Sequence, residues 1–319
     1  MADLKFETCL DAFGGTGAVG YRLKQAGKQV AYNDILRFNA HFGKALIENT
    51  DVYLEHDEIE ALLTLQPDEV YPDFIQQHFK DIYFTDEENA WIDRTITHIR
   101  HLTDPYKYAL AFFALSQSCI IKRPYNLFHR KNLYVRQAEV ERSFGNKTTW
   151  DRPFGEWFRH FAQEANQAVF DNGRANRAYN LNAADVSDDY DLVYIDPPYI
   201  SKQGVAVDYR DFYHFLEGLT MYPEWGDYLD YESKHRRLLR EPNAWTNKSQ
   251  IYAAFDRLFD RFRESIIVVS YRSDGIPAES ALIHLMEKYK STVRVAHFGQ
   301  YKYALSKNSR SGEMLLIGT

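Results

Sequence analysis

Residues 196–199 read Asp-Pro-Pro-Tyr and close an apolar run, Leu192 to Ile195, within the stretch DLVYIDPPYISKQG. On its own such a step is also an ordinary turn, since Asp-Pro opens turns and Pro-Pro stiffens an extended loop. The residue types allow more than a turn. A nucleobase amine is a poor nucleophile because its lone pair is delocalised into the ring, and acceptors for its two N–H hydrogens favour a tetrahedral nitrogen that releases the pair. Asp196 and the backbone carbonyl of Pro197, held rigid by the proline ring, are two such acceptors. Pro198 adds stiffness, and Tyr199 offers a ring face on which a base taken out of a duplex stacks. Chemistry of this kind runs through positioning and charge, so it requires no nucleophilic cysteine.

A second candidate lies near the start, in DAFGGTGAVG, residues 11–20. Gly15, Gly17 and Gly20 satisfy G-x-G-x-x-G, and Asp34 stands about twenty residues on. Glycines let a ligand approach the backbone, a helix N-terminus presents free N–H groups, and an acid at the next strand tip accepts ribose hydroxyls. That arrangement suits a dinucleotide and S-adenosylmethionine (AdoMet) alike. Asp11, directly before the turn, would repel a pyrophosphate and could pair with the α-ammonium of a methionine moiety. AdoMet is the better match.

The elements that must position these residues follow from the pattern. A short apolar strand ends at Asp11, a helical pattern runs to Ala26 and stops at Gly27, and a second strand, Gln29 to Tyr32, ends at Asn33-Asp34. This is a βαβ unit. Further strand-like runs recur at Tyr190–Ile195, Ser265–Tyr271, Val293–Phe298 and Met314–Ile317, with helical stretches between. The expected class is α/β, a Rossmann-like, doubly wound and mostly parallel sheet. In such a sheet ligands bind beyond the carboxyl ends of the strands, which brings the glycine turn and Asp196 into one cleft.

Between the two motifs lies a long insertion that changes sign along its length. Residues 51–100 are helical in pattern and carry thirteen Asp/Glu against three Lys/Arg. Residues 122–159 hold nine Lys/Arg against four Asp/Glu, interleaved with Tyr125, Phe128, Tyr134, Phe144 and Trp150, in short, β-like pieces. A basic surface with aromatics and Asn is what groove and phosphate contacts need. The net charge of the 319-residue chain is −7, so nucleic-acid binding would have to come from such a local patch. Two cysteines, Cys9 and Cys119, give neither a disulfide framework nor a thiolate zinc site, and no metal is expected. No leader is seen and no apolar run approaches the ~18 residues that would span a bilayer, so a soluble, cytoplasmic protein is expected, with no membrane partner.

Taken together the motifs resemble the AdoMet-dependent DNA N6-adenine methyltransferases, in the D12 class group ordered glycine loop, target-recognition region, DPPY. The resemblance covers nearly the whole chain. It implies an AdoMet loop with Asp11, Phe13, Gly14, Gly15 and Gly17; a ribose-binding step at Asn33, Asp34 and Ile35; and a cofactor-adenine contact at Asp185 and Val186. It implies Asp196, Pro197, Pro198 and Tyr199 as the catalytic motif. FYHFLEGL (212–219), VSYRSDGIP (269–277) and YKYALSKN (301–308) are similar to later stretches of these enzymes. Tyr213 and His214 are expected either to line the cleft after the DPPY loop or to pack as a helix face, and Ser270, Tyr271 and Arg272, which end a strand at the same edge of the sheet, are expected to border the flipped base. The basic block falls where the family contacts double-stranded DNA, implying Arg123, Asn126, His129, Arg130, Lys131, Arg136, Lys147 and Trp150. The expected domains are a catalytic domain of residues 1–50 and 179–319 and an inserted helical target-recognition region of residues 51–178.

One departure stands out. Members usually carry a G-S-K or G-G-K segment before the glycine loop, covering the methionine end of AdoMet, and no such motif precedes the first strand here. A partner subunit or second copy supplying that cover is one expectation; replacement by another part of this chain and a weak cofactor site are the others. Competing functions are an NAD-dependent oxidoreductase, which leaves DPPY without a role, and a nucleic-acid-binding subunit of the same fold without activity alone. Amino methylation of cytosine, RNA or protein glutamine is a nearer variant.

Overall fold

The computed structural model describes residues 4–139, 147–300 and 312–319. Its strands are β1 (Thr8–Asp11), β2 (Gln29–Asn33), β3 (Arg177–Tyr179), β4 (Leu192–Ile195), β5 (Ile200–Ser201), β6 (Ile266–Arg272), β7 (Gly275–Ile276), β8 (Val293–Gln300) and β9 (Gly312–Gly318). Among the described residues seven of these form one sheet in the order β3-β2-β1-β4-β6-β9-β8. The first five are parallel, and β9 enters antiparallel between β6 and β8. All four residues of β4 are buried, as a strand covered on both faces requires. One face is filled by Leu10, Val193, Ile195, Ile267 and Val269, packed with Phe255, Leu258 and Phe259 of the helix Ile251–Arg261. The doubly wound, mostly parallel α/β expectation holds.

From β1 the chain winds outward through β2 and β3, then returns to place β4 on the other side of β1. The direction of winding reverses between β1 and β4, and the crevice at such a point is where this architecture receives ligands. Asp11 and Asp196 end those two strands, and the Ala12 amide donates to the Tyr194 carbonyl at 3.0 Å. At the opposite end, Asp191 accepts the amides of Glu7 and Thr8 at 2.7 and 2.9 Å.

The chain divides into two compact units. The first comprises Met1–Gly43, Asn172–Asp208 and Glu241–Thr319 and holds the sheet. The second comprises Lys44–Asp171 and Tyr209–Arg240 and is helical. Residues 209–240 were expected in the catalytic domain; they contribute instead to the helical unit's core, where Trp225 packs 4.9 Å from Phe79. Two long helices of this unit are capped by side chains at their starts. Thr85 and Glu88 form a capping box on Asp86–Arg100, and Asp104 accepts the amides of Tyr106 and Lys107 ahead of Pro105–Ile121. Among its described residues the basic block holds short helices, at Leu133–Gln137 and Lys147–Asp151, with residues 127–132 irregular and no strand, so its β-like reading is corrected. Phe144 and the 301–308 motif lie outside the described residues. Cys9 and Cys119 are buried and free. Among the described residues no helix is long and apolar enough to cross a membrane.

Candidate active site

The glycine turn is built by backbone demands. Gly17 sits at φ 81 as the N-cap of the helix Ala18–Gln25, a left-handed conformation that glycine adopts without a Cβ clash. Gly14 is required for a different reason: a Cβ there would lie 2.0 Å from the ring of Tyr32, which fills the space between Gly14 and Gly43. The Tyr32 hydroxyl donates to the Gly15 carbonyl at 2.6 Å, so the second strand props the turn from beneath. A Cβ on Gly15 would meet nothing nearer than 4.0 Å, which leaves that side of the turn open.

Three carboxylates gather at the strand ends. Asp11 is buried; its Oδ2 accepts the Gly20 amide at 3.0 Å, while Oδ1 has no hydrogen-bond partner. Burial pushes Asp11 up to about 7 against the pull of the Gly20 bond, with Asp196 and Asp34 adding like charge. An orphaned buried acceptor beside an open turn is what a cationic ammonium group would satisfy, so the residues suit AdoMet. Asp34 accepts the amides of Gly15 at 2.9 Å and Leu36 at 2.8 Å and the Asn39 side chain at 3.1 Å. It therefore ties the second strand to the glycine turn, with one lone-pair site left for a ribose hydroxyl. Burial raises it to about 6 despite those three bonds.

Around Asp34 the strand tip is knitted by asparagines. Asn33 donates to the carbonyls of Ala12 and Leu181, both at 3.1 Å, and accepts the Leu181 amide at 3.0 Å. Asn180 donates to the carbonyls of Asp34 and Ile35. Ile35 and Leu181 are left exposed, two apolar side chains at a polar strand tip. Asp185 is exposed at the end of a short turn capped by Asn182. Of the acids near it, Asp188 lies 3.9 Å from Arg261 and Asp191 holds the start of β1, while Asp189 is exposed. Val186 is buried and offers its carbonyl to Arg261 at 2.9 Å.

Beyond β4, the Tyr199 hydroxyl donates to Asp196 Oδ1 at 2.5 Å. Burial drives the Asp196 carboxyl up to about 6, moderated by the Tyr199 bond and reinforced by Glu313. Glu313 in turn accepts the Ser270 hydroxyl at 2.5 Å. The loop leaves through β5, which pairs antiparallel with β7, Ile200 opposite Ile276. A run of edge-to-face rings links the two motifs. Phe13 to Trp245 is 4.9 Å, Trp245 to Phe255 5.1 Å, Phe255 to Tyr271 5.5 Å, and Tyr271 to Tyr199 5.2 Å. Each such pair contributes beyond its buried area. Trp245, Leu181 and Glu313 were missed by sequence reasoning, and only the aromatic in NAWT offered a signal. Tyr271 proves fully buried and Arg272 is paired with Asp274 at 2.7 Å, so neither is presented as a base contact.

In the helical unit several expected DNA contacts are corrected. Arg123 is buried against the Tyr83 ring, 4.1 Å from its centroid, and donates to the carbonyls of Tyr83, Leu127 and Arg130 and to Asn132. Arg136 is buried and grips Glu88 through two bonds of 2.8 and 2.7 Å, and Trp150 is buried beside them, its carbonyl accepting from Arg136. These three residues hold the unit together. His214 likewise belongs to its core, 2.7 Å from the Tyr83 hydroxyl, rather than to a cleft. His129 is half-buried on Phe212. Asn126, Arg130, Lys131 and Lys147 are exposed, the last paired with Asp151 at 2.7 Å.

Residues 2–260 match the family model described as D12 class N6 adenine-specific DNA methyltransferase. The chain is 28% identical to Type II methyltransferase M2.HphI of Haemophilus parahaemolyticus, over 97% of this chain and 89% of that protein. It is 26% identical to Type II methyltransferase M.FokI of Planomicrobium okeanokoites, spanning 96% of this chain and 47% of that protein. With Type II methyltransferase M.NlaIII of Neisseria lactamica the identity is 24%, over 88% and 79% of the two chains.

Proposed function

The chain belongs to the D12 class N6 adenine-specific DNA methyltransferases, and from that premise we propose that it uses AdoMet to methylate the N6 amine of an adenine flipped from duplex DNA, with Asp196 and Pro197 as acceptors. The observation that carries this reading is the position of Asp196: a half-buried carboxylate at the end of β4, at the switch point, on a loop stiffened by two prolines. When bound, AdoMet would supply an electrophilic sulfonium methyl, its carbon–sulfur bond breaking to leave a neutral thioether as the adenine nitrogen takes the carbon. Asp196 and the Pro197 carbonyl accept the two N–H bonds of the adenine amine, freeing its lone pair. The proton lost from nitrogen as its new bond to carbon forms leaves to the Asp196 carboxylate. Tyr199, whose hydroxyl braces Asp196, presents its ring to the base.

Asp11 meets the cofactor's ammonium, Asp34 the ribose, and Ile35, Leu181, Asp185 and Val186 its adenine. Phe13, Gly14, Gly15 and Gly17 shape the turn beneath, with Asn33 holding the strand tip. Trp245, packed on Phe13, favours a cofactor cover from this chain's own Glu241–Gln250 segment; a partner subunit or second copy is the competing source. The inserted unit is the target-recognition region, with Asn126, Arg130, Lys131 and Lys147 facing DNA. The type II methyltransferases among its relatives support a modification role in a restriction system.

The test is direct. Incubation with labelled AdoMet and DNA of mixed sequence, followed by digestion to nucleosides, is expected to place the label in N6-methyladenine for the wild type and not for Asp196→Ala. Label in methylcytosine, or no label in DNA, refutes the proposal.

A further inference from the structure

Net charge −7 makes any dense cationic segment conspicuous. One was not singled out from the sequence: residues 233–240, SKHRRLLR, carry four Lys/Arg and no acid. Two of the four are engaged locally, Arg237 with Asp230 at 3.0 Å and Arg240 with Asp211 at 3.4 Å. The other two, Lys234 and Arg236, line a groove of about 430 Å³ together with Lys80 and Lys131. Four cations from three separate chain segments thus face two carboxylates there, Asp81 and Glu232.

The groove is built rather than incidental. Non-glycine residues with positive φ are costly and persist where the surroundings hold them. Among the described residues there are four, Asp81, Tyr125, Asn126 and Arg236, all in the inserted unit. Asp81 (φ 57) and Arg236 (φ 55) both line the groove. Arg236 is also pre-set, donating to the Tyr231 carbonyl with its guanidinium 5.6 Å from that ring's centroid. His78, also in the lining, is held below its usual value by burial and by Arg236, so near neutral pH it adds a hydrogen-bonding group without charge.

We propose that this groove seats a backbone phosphate of duplex DNA, with Lys234 and Arg236 as its principal ligands and Lys80 and Lys131 at its rim. The assignment rests on the reading of DNA as substrate. It adds a second anchor, after the catalytic motif in the chain, to the basic block before it. Phosphate contacts set register without reading sequence, so the effect is uniform across DNA sequences.

The experiment measures binding of the full-length protein to a fluorescein-labelled duplex by anisotropy, from about 50 to 200 mM salt. Lys234→Ala and Arg236→Gly are each expected to weaken binding several-fold and reduce the magnitude of the log–log salt slope by about 1, with a raised KM for DNA. Glycine at 236 relieves the left-handed backbone, so an unchanged or raised Tm separates lost contact from lost fold. Lys234→Arg restores affinity, and Lys288→Ala, on the other unit, leaves it unchanged. Wild-type affinity and slope in both Lys234→Ala and Arg236→Gly overturn the groove while leaving the methyltransferase reading intact. A wild-type chain that neither binds nor methylates DNA overturns both.

Discussion

At the scale of single residues the site is dominated by carboxylates held above their ordinary range. Asp11 carries the clearest consequence. Burial raises it to about 7, and Asp196 and Asp34 add to the rise. A bound ammonium stabilises the ionised form, so the bound state has a lower pKa than the free one. Cofactor affinity is therefore lost as pH falls through about 7, and it falls again at higher pH as the cofactor's own α-amino group loses its proton at about 8. Calorimetry on this chain is expected to show AdoMet binding several-fold weaker at about pH 6 than at about pH 7.5. Asp11→Asn should bind more weakly and flatten the dependence; a flat wild-type profile removes Asp11 from the ammonium site. Detectable binding by the chain alone also removes the need for a second chain to complete the cover. The type and order of these residues were legible beforehand, because a strand end, a glycine turn and Pro-Pro are local signals. Asp34's grip on the turn was not, since its donors Gly15 and Asn39 lie 19 and 5 residues away and meet only in the fold.

Elements explain where the sequence misled. Central strands announce themselves as continuous apolar runs, whereas β3 is three residues long with no buried position. The basic block looked like a DNA-facing surface throughout because a buried cation and an exposed one have the same letter. Arg123 finds Tyr83 forty residues upstream, and Arg136 finds Glu88 forty-eight away. Arg123 nevertheless shapes the presenting loop, since it binds the carbonyls of Leu127 and Arg130 and fixes Asn132. Arg123→Ala leaves buried acceptors unmatched and should cost about 3–5 kcal/mol, seen as a large fall in Tm. Arg130→Ala, on the surface of the same loop, should leave stability within about 0.5 kcal/mol and weaken only DNA binding. Thermal unfolding alongside anisotropy distinguishes them; equal Tm values would mean that Arg123 does not organise the loop.

For the whole molecule the informative feature is that chain order and compact units disagree. Residues 209–240 follow the catalytic motif, yet their Trp225 sits in the core of the inserted unit. No periodicity reveals this, because an aromatic in a helical pattern declares that it is buried and not against what. Phe79 lies 4.9 Å and Phe215 5.3 Å from the Trp225 ring, and a Cβ on Gly218 would fall 1.9 Å from it, so backbone and indole are in direct contact. Trp225→Ala removes a fully buried indole and should cost about 3–5 kcal/mol. The loss falls on the unit proposed to hold DNA, while Asp11, the glycine turn and Asp34 belong to the unit built on the sheet. The variant is thus expected to lose DNA binding on warming before AdoMet binding, with two transitions in calorimetry where the cofactor raises only the upper one. A single transition that abolishes both ligands together would show that the second unit's core is also the first unit's support.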